Sequence, residues 1–440
     1  MSNQISNSHE SMHAATGLKD EKPSRQRFLL LVILFITLFV AYVDRVNISV
    51  IVASDAFLND MGIKGQPVQI GLLMSSFLIA YGFSNVFLSA IGDYWGQRKS
   101  ICAAVIIWIL SMFIGGIAPT FAIMIVSRVL LGIGEGIHFP LQSTYVKRWF
   151  PPQERGKANA CWSIGSSFAP AIAMPFFAWL VAHYAWHTSF LFCMFLGLLP
   201  LYLLWFYTAD TPQEHKKVNA LELQHIEQGL AKESRLQIDG NDPVESLWTR
   251  IKLVASDYRI WLVTIISSMN NCIYWGLITW LPTYLKSARG FSWTEMGVLS
   301  SMPFVLGILC KAFAGWASDR VGKRAPFCVI GGLGAAIGIY FGAVVSNNYV
   351  AALFICMGLG LQIMSVPLSF SMLQQFLPDR VISLGTGISS GIGIGVSALV
   401  PTLIGLVISI TGGFSGALYL LVGMALIGMS SALVLAWKKY

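Results

Sequence analysis

Residues 93–98 read DYWGQR and residues 319–324 read DRVGKR. Both carry the pattern DxxGxR, as Asp93, Gly96, Arg98 and as Asp319, Gly322, Arg324, and the copies stand 226 residues apart in a chain of 440. The acid falls near a helix end, the glycine permits a tight turn, and the basic residues can pair with acids or carbonyls on a neighbouring helix. Breaking such pairs would let packed halves rock against one another. One copy alone would pass for an ordinary basic loop. A second match at nearly the same offset weakens that reading: Pro152, Glu154 and Arg155 recur as Pro378, Asp379 and Arg380, with the acid and arginine 225 residues on. Two loops repeated at half the chain length predict two similar halves packed face to face.

The composition places both halves in lipid. Hydrophobic residues make up 55% of the chain and charged residues 11%, against about 25% charged in a soluble domain. Only a helix satisfies its own backbone in the hydrocarbon core, and it needs ~20 apolar residues to cross. Such runs occur at about 28–53, 70–91, 100–117, 121–147, 157–182 and 186–207, and again at 258–286, 295–318, 325–345, 349–374, 381–408 and 413–437. The expected fold is an all-α polytopic membrane protein, twelve transmembrane helices in two pseudo-symmetric six-helix bundles. The expected division is a cytoplasmic tail 1–27, a bundle 28–207, a charged and partly helical cytoplasmic linker 208–257, a bundle 258–437 and a tail 438–440. The first apolar run is too long for a signal peptide and lacks a small-residue cleavage site, so it reads as a true span after an uncleaved tail.

The net charge of +8 reports orientation rather than a nucleic-acid partner. With both termini cytoplasmic, the inner loops and tails hold 23 of the 29 Lys and Arg residues, and the outer loops keep Lys64, Lys286 and Arg289. This is the positive-inside distribution. Seven cysteines are scattered singly, so neither a metal site nor a disulfide framework is expected.

A charge near the bilayer centre costs about 2.5 to 3.5 kcal/mol even on the lenient insertion scale, which makes ionisable residues inside spans the sharpest functional signal. They are Asp44, Arg45, Arg128, Glu135 and Lys311, with His138 beside them. Asp44 and Arg45 are adjacent, point about 100° apart on a helix, and must each find a partner across an interface or in a watery cavity. Arg128 lies two turns before Glu135, about 10 Å along the axis, a gap that a neighbouring helix could fill. A structural role, as ion pairs or as residues reaching an interface, stays open for both pairs. At the 226-residue offset the counterparts of Asp44 and Arg45 are Asn270 and Asn271, so proton handling is expected in the first half and neutral hydrogen bonding in the second. Lys311 stands eight residues before Asp319 and is expected to snorkel to the cytoplasmic interface. His138 is open between a proton relay and a packed polar side chain. Tyr42, Tyr81, Tyr274, Trp275 and Trp280 are the aromatic candidates for a cavity wall, whereas Trp149, Trp186 and Trp205 read as interfacial belt residues.

These features together resemble the major facilitator superfamily. The segments YVDRVNIS (42–49), GEGIHFP (134–140), KRWFPPQERGKA (147–158) and WLPTYL (280–285) are similar to its anion:cation symporter branch, which includes bacterial galactonate, glucarate and hexuronate importers and sialin-type carriers. The resemblance implies proton-driven uptake of a carboxylate, with Arg45 anchoring the substrate and Asp44 taking a proton. It further implies that Glu135 couples proton to substrate, with Arg128 as its electrostatic counterpart. Tyr42 and Tyr81, and polar side chains of spans 5 and 11, would complete the site. The chain departs from the branch in span 11, where GTGISSGIGIG presents Ser389 and Ser390 in place of the usual asparagine, and in span 5, with Ser163, Ser166 and Ser167. Serines reach less far, so the resemblance implies a carboxylate more firmly than a polyhydroxylated hexonate. A further departure is Ala185, Trp186, His187, which replaces the usual GWR near span 6.

The site expected from these readings contains Asp44 and Glu135 for protons and Arg45, Tyr42, Tyr81, Arg128, Ser166, Asn270, Tyr274, Trp275 and Ser390 for substrate. Asp93, Arg98, Asp319 and Arg324 form the gating loops. The expected function is proton-coupled import of a small organic anion, a sugar acid or related carboxylate, by alternating access. The proton is the coupling ion, and no other cofactor is expected. The alternatives are the same fold with antiport or sodium coupling, a membrane-embedded enzyme, for which the spans lack clustered His, Asp or Cys, and a channel, for which no ring of like charges appears. A monomer in a bacterial inner membrane is the expected setting.

Overall fold

The computed structural model describes residues 22–88, 90–239, 246–377 and 381–438. The recurrent loop residues Pro378, Asp379 and Arg380, most of the N-terminal tail and the last two residues lie outside them. Among the described residues twelve helices are long and apolar enough to cross a membrane. They are α1 (Gln26–Ile51), α2 (Pro67–Phe87), α3 (Gln97–Gly116), α4 (Phe121–Trp149), α5 (Pro152–His183), α6 (His187–Tyr207), α7 (Tyr258–Ala288), α8 (Trp293–Val321), α9 (Ala325–Val344), α10 (Asn348–Phe376), α11 (Leu384–Thr411) and α12 (Phe414–Trp437). The chain is therefore a multi-pass membrane protein. Helix ends follow local chemistry. Thr120, Asp257 and Asn347 cap α4, α7 and α10 through their side chains, and Ser292 with Glu295 forms a capping box at α8.

The packing repeats with the sequence. In the first six helices α2 packs on α4, α3 on α4 and α6, and α1 on α5 and α6. In the second six the same partners recur, each shifted by six: α8 on α10, α9 on α10 and α12, and α7 on α11 and α12. The contacts between the halves obey the same relation, since α2 on α11 and α5 on α8 exchange under that shift while α1 faces α7. The linker contains two helices, Ala220–Asp239 and Leu247–Ser256. Glu222 in the first of them accepts hydrogen bonds from Ser24 Oγ (2.5 Å) and from the backbone N–H groups of Gln26 and Arg27. Arg27 in turn pairs with Glu154 of α5 at 3.3 Å, so the linker is fastened to the first half.

The repeated DxxGxR turns are built as their glycines require. Gly96 and Gly322 adopt φ of 86° and 69°, where a side chain would be strained. Arg98 donates to the Thr208 carbonyl (3.2 Å), Asp210 accepts from the Arg98 backbone (2.7 Å), and Arg324 donates to Gln375 Oε1 (3.0 Å). Asp93 stands 3.8 Å from Arg148, and Asp319 is exposed. Each of these contacts stays within one half or joins the first half to the start of the linker. The turns brace each bundle, and none of these contacts ties one half to the other in this conformation.

The belt reading of two tryptophans is corrected. Trp186 is buried and donates to Asp60 Oδ2 (2.8 Å), and Trp149 is buried edge-on to His215 (5.6 Å), while Trp205 is exposed. An indole N–H inside a protein needs an acceptor, which Asp60 supplies to Trp186.

On the face opposite the linker the halves are closed. A side chain at Gly71 of α2 would overlap the Pro401 carbonyl, and one at Gly405 of α11 would overlap that of Pro67. Beside them Thr402 Oγ1 is 2.8 Å from Ser75 Oγ, and Gly297 of α8 abuts Pro175 and Ala178 of α5. Substituting Gly71 with leucine is expected to hold α2 off α11 and populate the state open on that face. A cysteine at Thr402 should then react faster with a membrane-impermeant maleimide than it does with Gly71 intact.

Candidate functional site

Between the halves lies a cavity of two adjoining lobes, of about 540 and 150 Å³, sharing Tyr42, Asn270 and Asn271 in their walls. The larger lobe draws on the middle and linker-side ends of α1, α2, α4, α7, α10 and α11, and the smaller adds residues of α5 and α8. With the opposite face sealed, the cavity opens on the linker side. Tyr42, Tyr81, Asn270 and Ser390 line the larger lobe, and Tyr42, Ser166, Asn270, Tyr274 and Trp275 the smaller. The neutral members expected from the sequence are thus brought together from both halves.

The charged members stand behind this wall. Arg45 is 3% exposed, and its Nε donates to Glu135 Oε2 across α1 and α4. Its guanidinium carbon lies 4.3 Å from the Tyr42 ring centre, 4.8 Å from Tyr81, 5.5 Å from Phe77 and 6.0 Å from Trp275. Four aromatic faces thus cage the cation, and cation–π attraction of this kind is strongest where water is excluded. Trp275 belongs to α7, so the cage joins the halves. Tyr42 and Tyr81 touch Arg45 on one side and the cavity on the other.

The dryness around Glu135 comes from its neighbours in the GIGEG run. Side chains at Gly132 and Gly136 would collide with the carbonyls of Phe77 and Tyr81 on α2, so α4 lies against α2 at backbone distance. Among the described residues Glu135 Oε1 has no partner within hydrogen-bonding distance, nor does either carboxylate oxygen of Asp44. Asp44 is wholly buried on the far side of α1, beside Cys193 of α6 and Trp108 of α3.

Arg128 makes no direct bond to Glu135, and the gap between them on α4 is filled from a neighbouring helix, as the spacing suggested. Arg128 Nε donates weakly to the Leu73 carbonyl (3.4 Å), its two terminal nitrogens have no hydrogen-bond partner among the described residues, and its guanidinium lies 5.2 Å from the Phe77 ring centre. The two-turn offset along one helix is too long for a direct bond, and α1 brings Arg45 into the gap instead. Neither Arg45 nor Arg128 lines the cavity in this conformation. His138 is buried edge-on to Trp108 (6.3 Å), away from the cavity. Trp280 also leaves the candidate wall, since it donates to the Pro401 carbonyl (3.0 Å) within the closed face.

The largest correction concerns Lys311. It does not reach the linker-side interface. Its Nζ donates to Ser167 Oγ of α5 (2.9 Å) and lines the smaller lobe. The expectation failed because distance along α8 says how far the stem must reach but not which side of the helix faces the other half. Asn85, Gln374 and Thr386 also line the cavity. Their polarity within otherwise apolar spans was the signal that could have found them.

A partly polar, solute-sized cavity between pseudo-symmetric bundles, closed on one face and open on the other, is the architecture of a membrane transporter. The chain belongs to the Major Facilitator Superfamily, whose family model matches residues 34–399. It is 30% identical over 421 residues to a probable sulfoacetate transporter of Cupriavidus necator, covering 92% of this chain and 93% of that protein. It is 27% identical to a probable galactarate/D-glucarate transporter of Bacillus subtilis, covering 94% and 92%. Among solved structures it resembles an inward-facing, unoccupied bacterial homologue of the human lysosomal transporter Spinster, with TM-score 0.77 at 16% identity over 94% of this chain and 97% of that one. A D-xylose–proton symporter matches with TM-score 0.73, 16% identity and coverage of 92% and 96%. These relatives are transporters, and this protein is a transporter rather than an enzyme.

Removing one partner of a buried ion pair leaves the other charge uncompensated, at a cost of about 3 to 5 kcal/mol, whereas an apolar replacement of both is near neutral. Glu135→Leu alone is therefore expected to lower the thermal unfolding temperature in detergent markedly. Adding Arg45→Met should restore most of the loss, measured as a double-mutant cycle.

Proposed function

We propose that this protein imports a small organic anion, a carboxylate such as a sugar acid, together with protons. The observation that carries the proposal is the Arg45–Glu135 pair, held directly behind the tyrosines of the cavity. A carboxylate that enters between Tyr42 and Tyr81 offers Arg45 a second anionic partner through charge-assisted hydrogen bonds. If it takes Arg45, Glu135 is left as a bare carboxylate in a dry interior, which costs several kcal/mol. A proton on Glu135 removes that charge.

Charge balance supports the same reading. The buried set in the first half, Asp44, Arg45, Arg128 and Glu135, is neutral when every member is ionised. An anion that takes Arg45 out of this set leaves its acids one charge in excess, and one proton restores the balance. Asp44, with two unbonded oxygens, is the second proton acceptor in this proposal. Protonation on the outside frees Arg45 for the anion. The compensated cavity then closes and reopens on the linker face, where loss of the proton lets Glu135 reclaim Arg45 and release the substrate.

The names of the relatives support the anion. The basic bias of the linker-side loops supports both termini and the linker being cytoplasmic, and bacterial relatives support a bacterial inner membrane. One chain supplies every wall of the cavity, so the proposed working unit is a monomer. The recurring basic turns at Arg98 and Arg324 are proposed to stiffen each half for rigid-body rocking.

The test is uptake into proteoliposomes of labelled hexonates, hexuronates, aromatic acids and dicarboxylic acids, with and without an inward proton gradient. Wild type should accumulate at least one acid under the gradient. Glu135→Gln should lose gradient-driven accumulation while retaining exchange, and Arg45→Gln should weaken anion binding about tenfold or more. Accumulation that follows sodium and ignores pH would overturn proton coupling, and the failure of every acid would overturn the organic-anion reading.

A further inference from the structure

We infer that Lys311 is a second anion anchor, and that the preferred substrate is a short dianion whose acid groups are divided between Arg45 of the first half and Lys311 of the second. This rests on the proposed reading of the cavity as an organic-anion site. It goes further by assigning a residue and a charge class.

Among the described residues that line the two lobes, Lys311 is the one with a formal charge. Its hydrogen-bond partner is a neutral hydroxyl, Ser167 Oγ at 2.9 Å, and among the described residues no acid forms an ion pair with it. Every other base inside the spans differs: Arg45 has Glu135, and Arg128 shares the neutral buried set. An ammonium in a transmembrane helix with no counter-charge is costly, and a lysine needed only for packing would be replaced by an apolar side chain at no loss. An anionic ligand in the lobe supplies the missing charge.

The geometry places the second anchor near the first. Lys311 shares the smaller lobe with Tyr42 and Trp275, and those rings stand 4.3 and 6.0 Å from the Arg45 guanidinium carbon. One aromatic wall therefore separates the two cations, and a molecule a few carbons long can present an acid group to each. The polar residues that line the same lobe, Asn270, Asn271 and Ser166, suit hydroxyl or carbonyl groups along such a chain. At the half-chain offset the counterpart of Lys311 is Asn85 of α2, which lines the larger lobe. Just as Asn270 and Asn271 answer Asp44 and Arg45, each half thus contributes one cationic position answered by an amide in the other. A ligand held by both cations bridges the halves, and it also competes for the ammonium that now bonds Ser167 across α5 and α8.

The experiment is exchange uptake by the purified full chain in proteoliposomes, with D-glucarate and sulfoacetate as dianions and D-galactonate as a monoanion of matched length to the first. Wild type should favour the dianions. Lys311→Met should lower the ratio of dianion to monoanion uptake about tenfold or more, and Lys311→Arg, which keeps the charge, should retain the preference. Lys311→Gln is the second uncharged variant if Lys311→Met does not fold. A wild type without dianion preference overturns the inference, as does a ratio unchanged in the uncharged variants or an equal loss of both classes. Uptake of D-galactonate alone would sink the dianion and leave the organic-anion reading standing, whereas uptake of none of the three by wild type would remove both.

Discussion

A buried charge in a lipid-facing protein must be answered by another charge, and the architecture turns on how Arg45 is answered. Glu135 supplies its counter-charge from α4, Tyr42, Phe77 and Tyr81 supply aromatic faces from the first half, and Trp275 supplies one from the second. The close glycine packing of α4 on α2 keeps water from Glu135, and so raises the cost of separating the pair. Any event that draws Arg45 toward the cavity has to settle the charge on Glu135 at the same time. In the proposed mechanism that is the coupling device, made from electrostatics alone.

The two halves share a helix arrangement but divide the chemistry. The first concentrates the acids and arginines in a dry core beside the cavity. The second presents amides, hydroxyls and aromatic rings to it, with Lys311 as its cation. The halves meet through glycines on the face opposite the linker, a contact of small residues and backbone that can part without stranding charges. The braces of Arg98 and Arg324 do not cross between the halves. Internally braced bundles with an uncharged seam between them suit a rocking motion.

Much of this was legible in the chain before any coordinates. Helix count and approximate bounds follow from hydropathy, because a bilayer admits no other spanning backbone in a single apolar run. The doubled DxxGxR turns reveal the two-fold repeat, since glycine at positive φ leaves a mark at a fixed position in both halves. Tyr42, Tyr81, Asn270, Tyr274 and Trp275 could be placed on a cavity wall because polar and aromatic side chains in mid-span rarely face lipid.

What the sequence determined by itself was the class of fold and the short roster of charges that a membrane would not carry without use. Partner choice was decided only in three dimensions. Glu135 and Arg128 lie on one helix at a spacing that no side chain bridges, and the pairing of Glu135 with Arg45 depends on how α1 and α4 are rotated against each other. Lys311 looked like an interfacial residue when measured along its own helix, yet the crossing of α5 and α8 turns it toward Ser167 and the cavity. Trp186 likewise sits near a span end but is claimed by Asp60 of the short helix Asp55–Asp60 between α1 and α2. Hydropathy is a property of the chain and survives in one dimension. The rotation of one helix against another comes from the packing of many side chains at once, and it is this rotation that decides which charge meets which.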